Sequence, residues 1–300
     1  MAANITEIGE PRSVGSREKA AAYIELTKPR IAFMLVLTSA AGFYLASKGS
    51  FDFVLFANAM IAITLLAFGV ATLNQYWEQE SDVLMERTAT RPLPTFRVSS
   101  TEALIFGLLQ CIIAEIYLFA AVNTLTAVLG LVVIVGYVLV YTPLKTRTSA
   151  STAIGAIPGA LPPLMGWSAA ANEITVGAWA LFATQFLWQF PHFFAIAWMY
   201  REEYAKAGIK MLPVVDKDGH ITARQIVLFA IMLLPVSVAP YFFGISGVVF
   251  LVGSILLGLW FLWASVVAAR AKTKEKARRL LLVSVIYLPL LFILMVADTR

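Results

Sequence analysis

Residues 74–94 read NQYWEQESDVLMERTATRPLP and follow directly on an apolar run that ends at Leu73. Asn74, Glu78 and Asp82 recur every four positions, and on an α-helix this spacing turns each successive side chain by only about 40°. The three side chains therefore point from one stripe of the helix. One amide and two carboxylates offer hard oxygen ligands, which suit Mg²⁺ better than a transition metal.

Two arginines follow this stripe. Arg87 and Arg91 are four positions apart, and Pro92 and Pro94 are expected to end the helix. Metal-binding acids beside paired arginines match what a diphosphate group requires. A solvated helix end with mixed charges is the alternative interpretation of the same residues.

The composition is that of a polytopic membrane protein. Hydrophobic residues make up 60% of the chain and charged residues 14%, whereas a soluble domain is about one quarter charged. The single cysteine, Cys111, excludes a disulfide framework and a multi-cysteine metal site, and two histidines argue against a zinc site. The net charge of +5 is explained by membrane topology, so nucleic acid is not expected as a partner.

Apolar runs of the length that crosses a bilayer, roughly 17–25 residues, recur along the chain. They cover residues 30–47, 53–73, 102–121, 124–143, 152–171, 176–199, 225–243, 246–268 and 279–297. The sequence therefore predicts an all-α polytopic membrane protein with nine transmembrane helices. Residues 1–27 are expected to form a polar cytoplasmic segment, and residues 28–300 a single transmembrane domain.

Basic residues determine the predicted orientation. With the N-terminus in the cytoplasm, basic residues from Arg12 onwards gather on the inner face, and only Lys48 and Arg300 remain outside. The inner loops are also the longer ones. We therefore expect the chain to lie in the cytoplasmic membrane of a bacterium, with its active site on the cytoplasmic side.

A second acidic group follows the sixth predicted span. This helix is expected to continue through residues 186–215 and to carry Glu202 and Glu203 to the inner face. Two acidic clusters on one side of the membrane can hold metal ions that bridge a diphosphate and help it to leave. Lys145 and Arg147, in the intervening loop YTPLKTRT, are suited to holding phosphoryl oxygens.

The sequence resembles the intramembrane prenyltransferases of the UbiA superfamily, and within them the branch that farnesylates heme. An NxxxD-like motif alone would indicate only the superfamily. The MERTxxRPLP tail, the PHF element and the EYxxAGIxMLPV loop indicate the heme branch. The matching segments are LTKPRI (26–31), residues 74–94, YTPLKTRT (141–148), GALPPLMGW (159–167), PHFFAIAW (191–198) and REEYAKAGIKMLPVV (201–215).

The resemblance implies a bundle of nine helices, farnesyl diphosphate as donor, heme B as acceptor substrate and Mg²⁺ as cofactor. The farnesyl group joins a heme vinyl group and water adds as a hydroxyl, which gives heme O for terminal oxidases. The implied partners are the lipid bilayer and, as candidates, heme A synthase and oxidase assembly factors. The family usually has aspartate where this chain has Glu78, Glu202 and Glu203, so the metal geometry is expected to differ.

These arguments give two candidate metal sites and a set of candidate diphosphate ligands. Asn74, Glu78 and Asp82 are assigned to one metal site, and Glu202 and Glu203 to the other. The candidate diphosphate ligands are Arg87, Arg91, Lys145, Arg147 and Arg30. The alternative for each basic residue is a charge that serves only topology.

Three further side chains are assigned to substrate binding. Tyr141 and Tyr204 are candidates for orienting phosphates, although a place in the interfacial aromatic belt explains them equally well. His192 lies among aromatic residues within the sixth span and is a candidate ligand of heme iron. Glu115 lies in the third span, and no role is assigned to it.

Two other functions remain open at this point. One is a prenyltransferase of the same superfamily that acts on a quinone precursor or another aromatic acceptor. The other is a membrane transporter with discontinuous helices, which would require a polar site at mid-membrane and inverted repeats. Apart from Glu115, the polar residues here gather instead at one face.

Overall fold

The computed structural model describes residues 14–47 and 49–300. Arg12 and Lys48 lie outside the described residues. Regular structure within them is helical, apart from one isolated β-bridge between Ser246 and Thr299. The prediction of an all-α protein is confirmed.

The helices are numbered here in chain order, and a π-helical segment, Val135–Tyr141, lies between the fifth and sixth. They are α1 (Ser16–Leu26), α2 (Pro29–Ala46), α3 (Phe53–Val83), α4 (Ser100–Ala121), α5 (Thr124–Ile134), α6 (Thr142–Leu144), α7 (Ser151–Gly159), α8 (Leu161–Ala171), α9 (Val176–Met199), α10 (Arg201–Lys206), α11 (Leu212–Val215), α12 (His220–Phe242), α13 (Val248–Ala271) and α14 (Lys274–Ala297).

Seven helical segments of the described chain are long and apolar enough to cross a membrane. They are α2, α3, α4, the continuous segment Thr124–Leu144, α12, α13 and α14. The fifth predicted span corresponds to α7 and α8, which are separated at Ala160, where prolines on both sides remove backbone donors. The sixth corresponds to α9, which carries two glutamines and His192 among its apolar residues. The count of nine transmembrane helices and the orientation stay predictions.

The long helices pack side by side into one closed bundle. Each packs on the next along the chain, and α14 packs back against both α9 and α2. Helices α2 and α8 approach closely because of two glycines. A Cβ added at Gly42 would lie 2.1 Å from the carbonyl oxygen of Pro163, and one at Gly166 would lie 1.8 Å from that of Ser39. Such contacts between small residues are typical of helix packing in membranes.

Helix α3 continues ten residues beyond its apolar run, and this extension presents Asn74, Glu78 and Asp82. The prediction that the helix continues to Pro92 is wrong, because α3 ends at Val83 and residues 84–98 form turns. The Thr88 hydroxyl donates a hydrogen bond to the carbonyl of Asp82 at 2.9 Å. It thereby satisfies one of the carbonyls that a helix end leaves free.

The predicted continuous helix over residues 186–215 is also interrupted. Helix α9 ends at Met199, and α10 and α11 follow as short separate helices. Gly208 has a φ of +70°, a conformation that favours glycine, and the amide of Ile209 returns to the carbonyl of Tyr204 at 2.9 Å. The Lys210 amide then donates to the carbonyl of Lys145 at 2.7 Å. This bond joins the two loops that carry candidate site residues.

Candidate active site

A buried group of charges lies at the end of α3. Arg91 donates to Asp82 Oδ2 at 2.6 Å and lies 3.9 Å from Glu78 Oε2. Lys145 is paired with the other oxygen of Glu78. The side chain of Asp82 is 1% exposed and that of Glu78 14%. Burial alone would lower the pKa of Lys145, but the Glu78 carboxylate outweighs burial and raises it.

Asn74 extends this group towards the start of α2. Its Oδ1 accepts a hydrogen bond from Lys28 Nζ at 2.8 Å, and its Nδ2 donates to Thr142 Oγ1 at 3.2 Å. Burial, together with the charge of nearby Arg91, lowers the pKa of Lys28 to about 7. Three cations (Lys28, Lys145 and Arg91) thus surround the stripe that the sequence predicted.

The π-helical segment positions the residues that face this stripe. Thr142 follows it directly and donates to the carbonyl of Tyr137 at 2.8 Å. The Tyr141 ring lies 4.5 Å from Lys145 Nζ, a cation–π contact. A Cβ added at Gly155 of α7 would lie 2.3 Å from the Tyr141 ring, so this position requires glycine. Interruptions of this kind in a helix are frequent at functional sites.

A second polar group forms around Arg87. Its backbone amide donates to Glu203 Oε2 at 3.2 Å, and its guanidinium donates to Tyr204 Oη at 3.3 Å. The guanidinium also lies over the Tyr200 ring at 4.9 Å. The loop between α3 and α4 therefore contacts two acids. Its Arg87 amide donates to Glu203, and its Arg91 guanidinium donates to Asp82.

An apolar wall lies beside the Arg87 group. Met85, three residues after Asp82, belongs to one apolar cluster with Tyr204 and Met211, and Phe193 packs against that cluster. Among the predicted residues, Asn74, Glu78, Asp82, Arg87, Arg91, Tyr141, Lys145, Glu203 and Tyr204 are brought to this end of the bundle.

Four predicted residues lie outside these groups, namely Glu202, Arg147, Arg30 and His192. The side chain of Glu202 is 74% exposed and lies 3.5 Å from Lys274. Arg147 and Arg30 are exposed, and neither side chain contacts the two groups within the described residues. The acidic pair of α10 is therefore divided, with only Glu203 facing the site.

The match to a family model covers residues 35–293, and that model describes the UbiA prenyltransferase family. The chain belongs to the UbiA prenyltransferase family. It is 47% identical to a protoheme IX farnesyltransferase of Solibacter usitatus, over 92% of this chain and 98% of the relative. It is 42% identical to a protein of the same name from Koribacter versatilis, over 92% of each chain. The enzyme is therefore a transferase of prenyl groups.

Solved structures confirm the UbiA fold. A digeranylgeranylglyceryl phosphate synthase superposes with a TM-score of 0.78 at 18% identity, over 94% of this chain and 98% of that one. A UbiA homolog from Archaeoglobus fulgidus, bound to GPP and Mg²⁺, superposes with a TM-score of 0.64 at 14% identity, over 92% and 99%. At these identities the likeness concerns the fold alone.

His192 lies in a separate part of this UbiA bundle, between α9 and α14. Its Nδ1 is 2.8 Å from Ser284 Oγ, and its ring stacks on Trp188 with centroids 4.7 Å apart. The ring also contacts Phe193 edge to face, at 5.4 Å. His192 lies seven residues before the end of α9, about two turns further into the bundle than α10, and Phe193 beside it packs against the apolar cluster that contains Met85.

The oxygen ligands for a metal are present although a dense acidic cluster is not. Among the described residues, no group of three or more His, Cys, Asp or Glu side chains comes together. Asp82 Oδ1, however, is fully buried and has no hydrogen-bond partner among the described residues. A buried carboxylate oxygen without a partner is costly, and a bound cation would remove that cost. Asp82, Glu78 and Asn74 therefore fit Mg²⁺.

Sequence reasoning missed Lys28 as a site residue. It stands in the quoted segment LTKPRI, where the sequence by itself indicates only a charge on the inner face. Its backbone is left-handed, with a φ of 48°, which directs the chain into α2 and brings the ammonium to Asn74. The signal available in the sequence was its place directly before a proline that starts a span.

Proposed function

We propose that this enzyme transfers the farnesyl group of farnesyl diphosphate to a vinyl group of heme B, with addition of water, and so forms heme O. The observation that carries the proposal is the buried group at the end of α3, where two carboxylates meet Lys145 and Arg91 and one carboxylate oxygen has no partner among the described residues. The relatives named protoheme IX farnesyltransferase support heme as the acceptor.

Lys145, Arg91 and Lys28 would hold the diphosphate, with Arg87 at its other side. Three cations against Glu78 and Asp82 leave the central group with one net positive charge when Lys28 is protonated. A diphosphate carries more negative charge than this group can neutralise. Additional cations are therefore needed before the leaving group can depart.

Asn74, Glu78 and Asp82 would hold Mg²⁺, and Glu203 could complete a second oxygen site near Arg87. When bound, Mg²⁺ neutralises charge on the diphosphate oxygens. Substrate binding would draw Lys145 and Arg91 from the carboxylates to the phosphates, because phosphate oxygens accept the same charge-assisted hydrogen bonds that Glu78 and Asp82 accept here. The A. fulgidus homolog, crystallised with GPP and Mg²⁺, supports this use of the fold.

Among the described residues of the two polar groups, no hydroxyl is hydrogen-bonded to a base that could activate it as a nucleophile, which favours ionisation of the donor. The bond between the farnesyl C1 and the diphosphate oxygen breaks, and Lys145 and Arg91 hold the departing pyrophosphate. The terminal carbon of the vinyl group then bonds to C1. Water adds to the cation that forms beside the porphyrin, and its proton is released. The Tyr141 and Tyr200 rings, already in contact with cations, are suited to stabilising positive charge.

The basic residues of the loops that flank the site support a cytoplasmic location for the active site, in a bacterial inner membrane. His192 would contact the heme, because it lies in the bundle behind the diphosphate group. Heme A synthase and oxidase assembly factors remain candidate partners that would receive the product.

The test is incubation of the full chain, in lipid nanodiscs, with heme B, farnesyl diphosphate and Mg²⁺, followed by mass analysis of the heme. We expect a heme that has gained one farnesyl group and one hydroxyl, and no such product when the metal is chelated. Parallel reactions contain a hydroxybenzoate acceptor in place of heme. Farnesylation of that acceptor with unmodified heme would overturn the proposal in favour of an aromatic prenyltransferase.

A further inference from the structure

The hydroxyl of Ser284, on α14, takes part in two hydrogen bonds. Its Oγ donates to the carbonyl of Leu281, one turn earlier, at 2.6 Å. The same oxygen lies 2.8 Å from His192 Nδ1 on α9. The carbonyl of Ser284 accepts in turn from Trp188 Nε1 at 2.9 Å. One fully buried serine therefore fixes both aromatic side chains of a stacked pair.

A serine hydroxyl has a single proton, and this one is directed at Leu281. Towards His192 the oxygen can then act only as an acceptor. His192 Nδ1 must therefore carry a hydrogen. An imidazolium is costly at this depth in a membrane bundle, and no acidic side chain contacts the ring among the described residues. The imidazole is thus neutral, with its lone pair on Nε2.

A neutral histidine that donates its Nδ1 hydrogen to an oxygen is arranged as metal-ligating histidines are. The hydrogen bond fixes the tautomer and also the plane of the ring, and stacking on Trp188 holds that plane a second time. No hydrogen bond to Nε2 is found within the described chain. The ring is half-buried rather than enclosed, and Nε2 is not among the fully buried side-chain atoms that lack a partner, so a ligand can reach it.

We propose that Ser284 is a positioning residue for the acceptor: it holds His192 so that Nε2 binds the iron of heme B. This inference rests on the proposed function. It adds α14 to the acceptor site, and it accounts for the close association of α9 with α14 through polar groups. Ligation at Nε2 would place the porphyrin near Phe193, which contacts the His192 ring and packs against the apolar cluster that contains Met85 and Tyr204.

The test titrates the full chain in nanodiscs with ferric heme B and records the absorption and electron paramagnetic resonance spectra. The wild-type protein is expected to show histidine ligation, and His192→Ala is expected to lose it. Ser284→Ala should weaken heme binding about 10- to 100-fold, because removal of a group that orients a metal ligand has effects of that size. Ser284→Thr, which keeps the hydroxyl, should restore most of the affinity.

Ser254→Ala is the matched control. Ser254 is equally buried and donates to Leu251 one turn earlier at 2.9 Å, but no histidine lies against it within the described chain. It should bind heme as the wild type does, and binding of farnesyl diphosphate should be unchanged in Ser254→Ala and Ser284→Ala.

Two results would overturn the inference: an unchanged spectrum in His192→Ala, or heme affinity in Ser284→Ala within twofold of the wild type. If wild-type protein still farnesylates heme in that case, the proposed function stands and only the role of Ser284 fails. If wild-type protein binds heme through His192 but never farnesylates it, the proposed function fails while the ligand assignment stands.

Discussion

Asp82 has one carboxylate oxygen bonded to Arg91 and the other bonded to no described residue. Asp82→Asn keeps the shape of the side chain but removes its charge. We expect farnesyl transfer to fall by about a hundredfold or more, as when one electrostatic contact to a transition state is removed. The measurement is the initial rate of product formation at saturating Mg²⁺, with thermal unfolding as the check on folding.

Glu275→Gln is the matched control for Asp82→Asn, because Glu275 is 85% exposed and pairs only with the neighbouring Lys276. Its rate should remain at the wild-type value. A folded Asp82→Asn enzyme with a rate within threefold of the wild type would remove Asp82 from the chemistry.

Adjacent glutamates in α10 provide a second comparison. Glu203 accepts a hydrogen bond from Arg87, whereas Glu202 is exposed and lies near Lys274. Glu203→Gln should lower kcat/KM for farnesyl diphosphate at least tenfold, because the charge near the diphosphate is lost. Glu202→Gln should change it less than twofold. Equal losses in both variants would contradict this division and would support the pair as one metal site.

Sequence reasoning identified every acid of the site but missed one of its bases, Lys28. The four-residue spacing of Asn74, Glu78 and Asp82 is a local property of one helix, so it could be read from the chain. The contact between Lys28 and Asn74 depends on how α2 packs against α3, and no periodicity encodes it. The division of Glu202 from Glu203 likewise depends on where α9 ends.

Gly155 of α7 packs directly against Tyr141 of the π-helical segment. Gly155→Ala would press a methyl group against the Tyr141 ring, 2.3 Å away, and so displace Lys145 one turn later. We expect a loss of about 1–3 kcal/mol in stability and a higher KM for farnesyl diphosphate. Substrate titration together with thermal unfolding would measure both.

Gly136→Ala is the control for this change, because a Cβ there would make only an ordinary contact with Pro158 at 3.5 Å. It should leave KM unchanged. If Gly155→Ala binds the donor as tightly as Gly136→Ala does, the π-helical segment does not position the site.

Sequence reasoning predicted the helices well where the length of an apolar run alone determines their bounds. Most predicted spans begin and end within a few residues of the observed helices. The errors occur where a contact outside the helix satisfies its end. Helix α3 stops at Val83, and Thr88 of the following turns donates to the carbonyl of Asp82; α9 stops at Met199, and α10 follows as a separate helix whose Glu203 accepts from Arg87.

The whole bundle has a predicted orientation that labelling can test. Ser50 and Thr146 are both exposed, in loops that the topology places on opposite faces, while the natural Cys111 is only 4% exposed. In intact cells, a membrane-impermeant maleimide should label Ser50→Cys, and it should label Thr146→Cys only after lysis. The reverse pattern would place the active site on the outer face.

In the proposed reaction, one buried group of carboxylates and cations ionises farnesyl diphosphate, and heme then captures the farnesyl group. The most direct measurement is the ratio of pyrophosphate released to farnesylated heme formed, in a single reaction of the purified full chain with Mg²⁺. We predict a ratio of one to one, with both products lost in Asp82→Asn. Pyrophosphate release without any farnesylated heme, or heme product that persists undiminished in Asp82→Asn, would contradict the account.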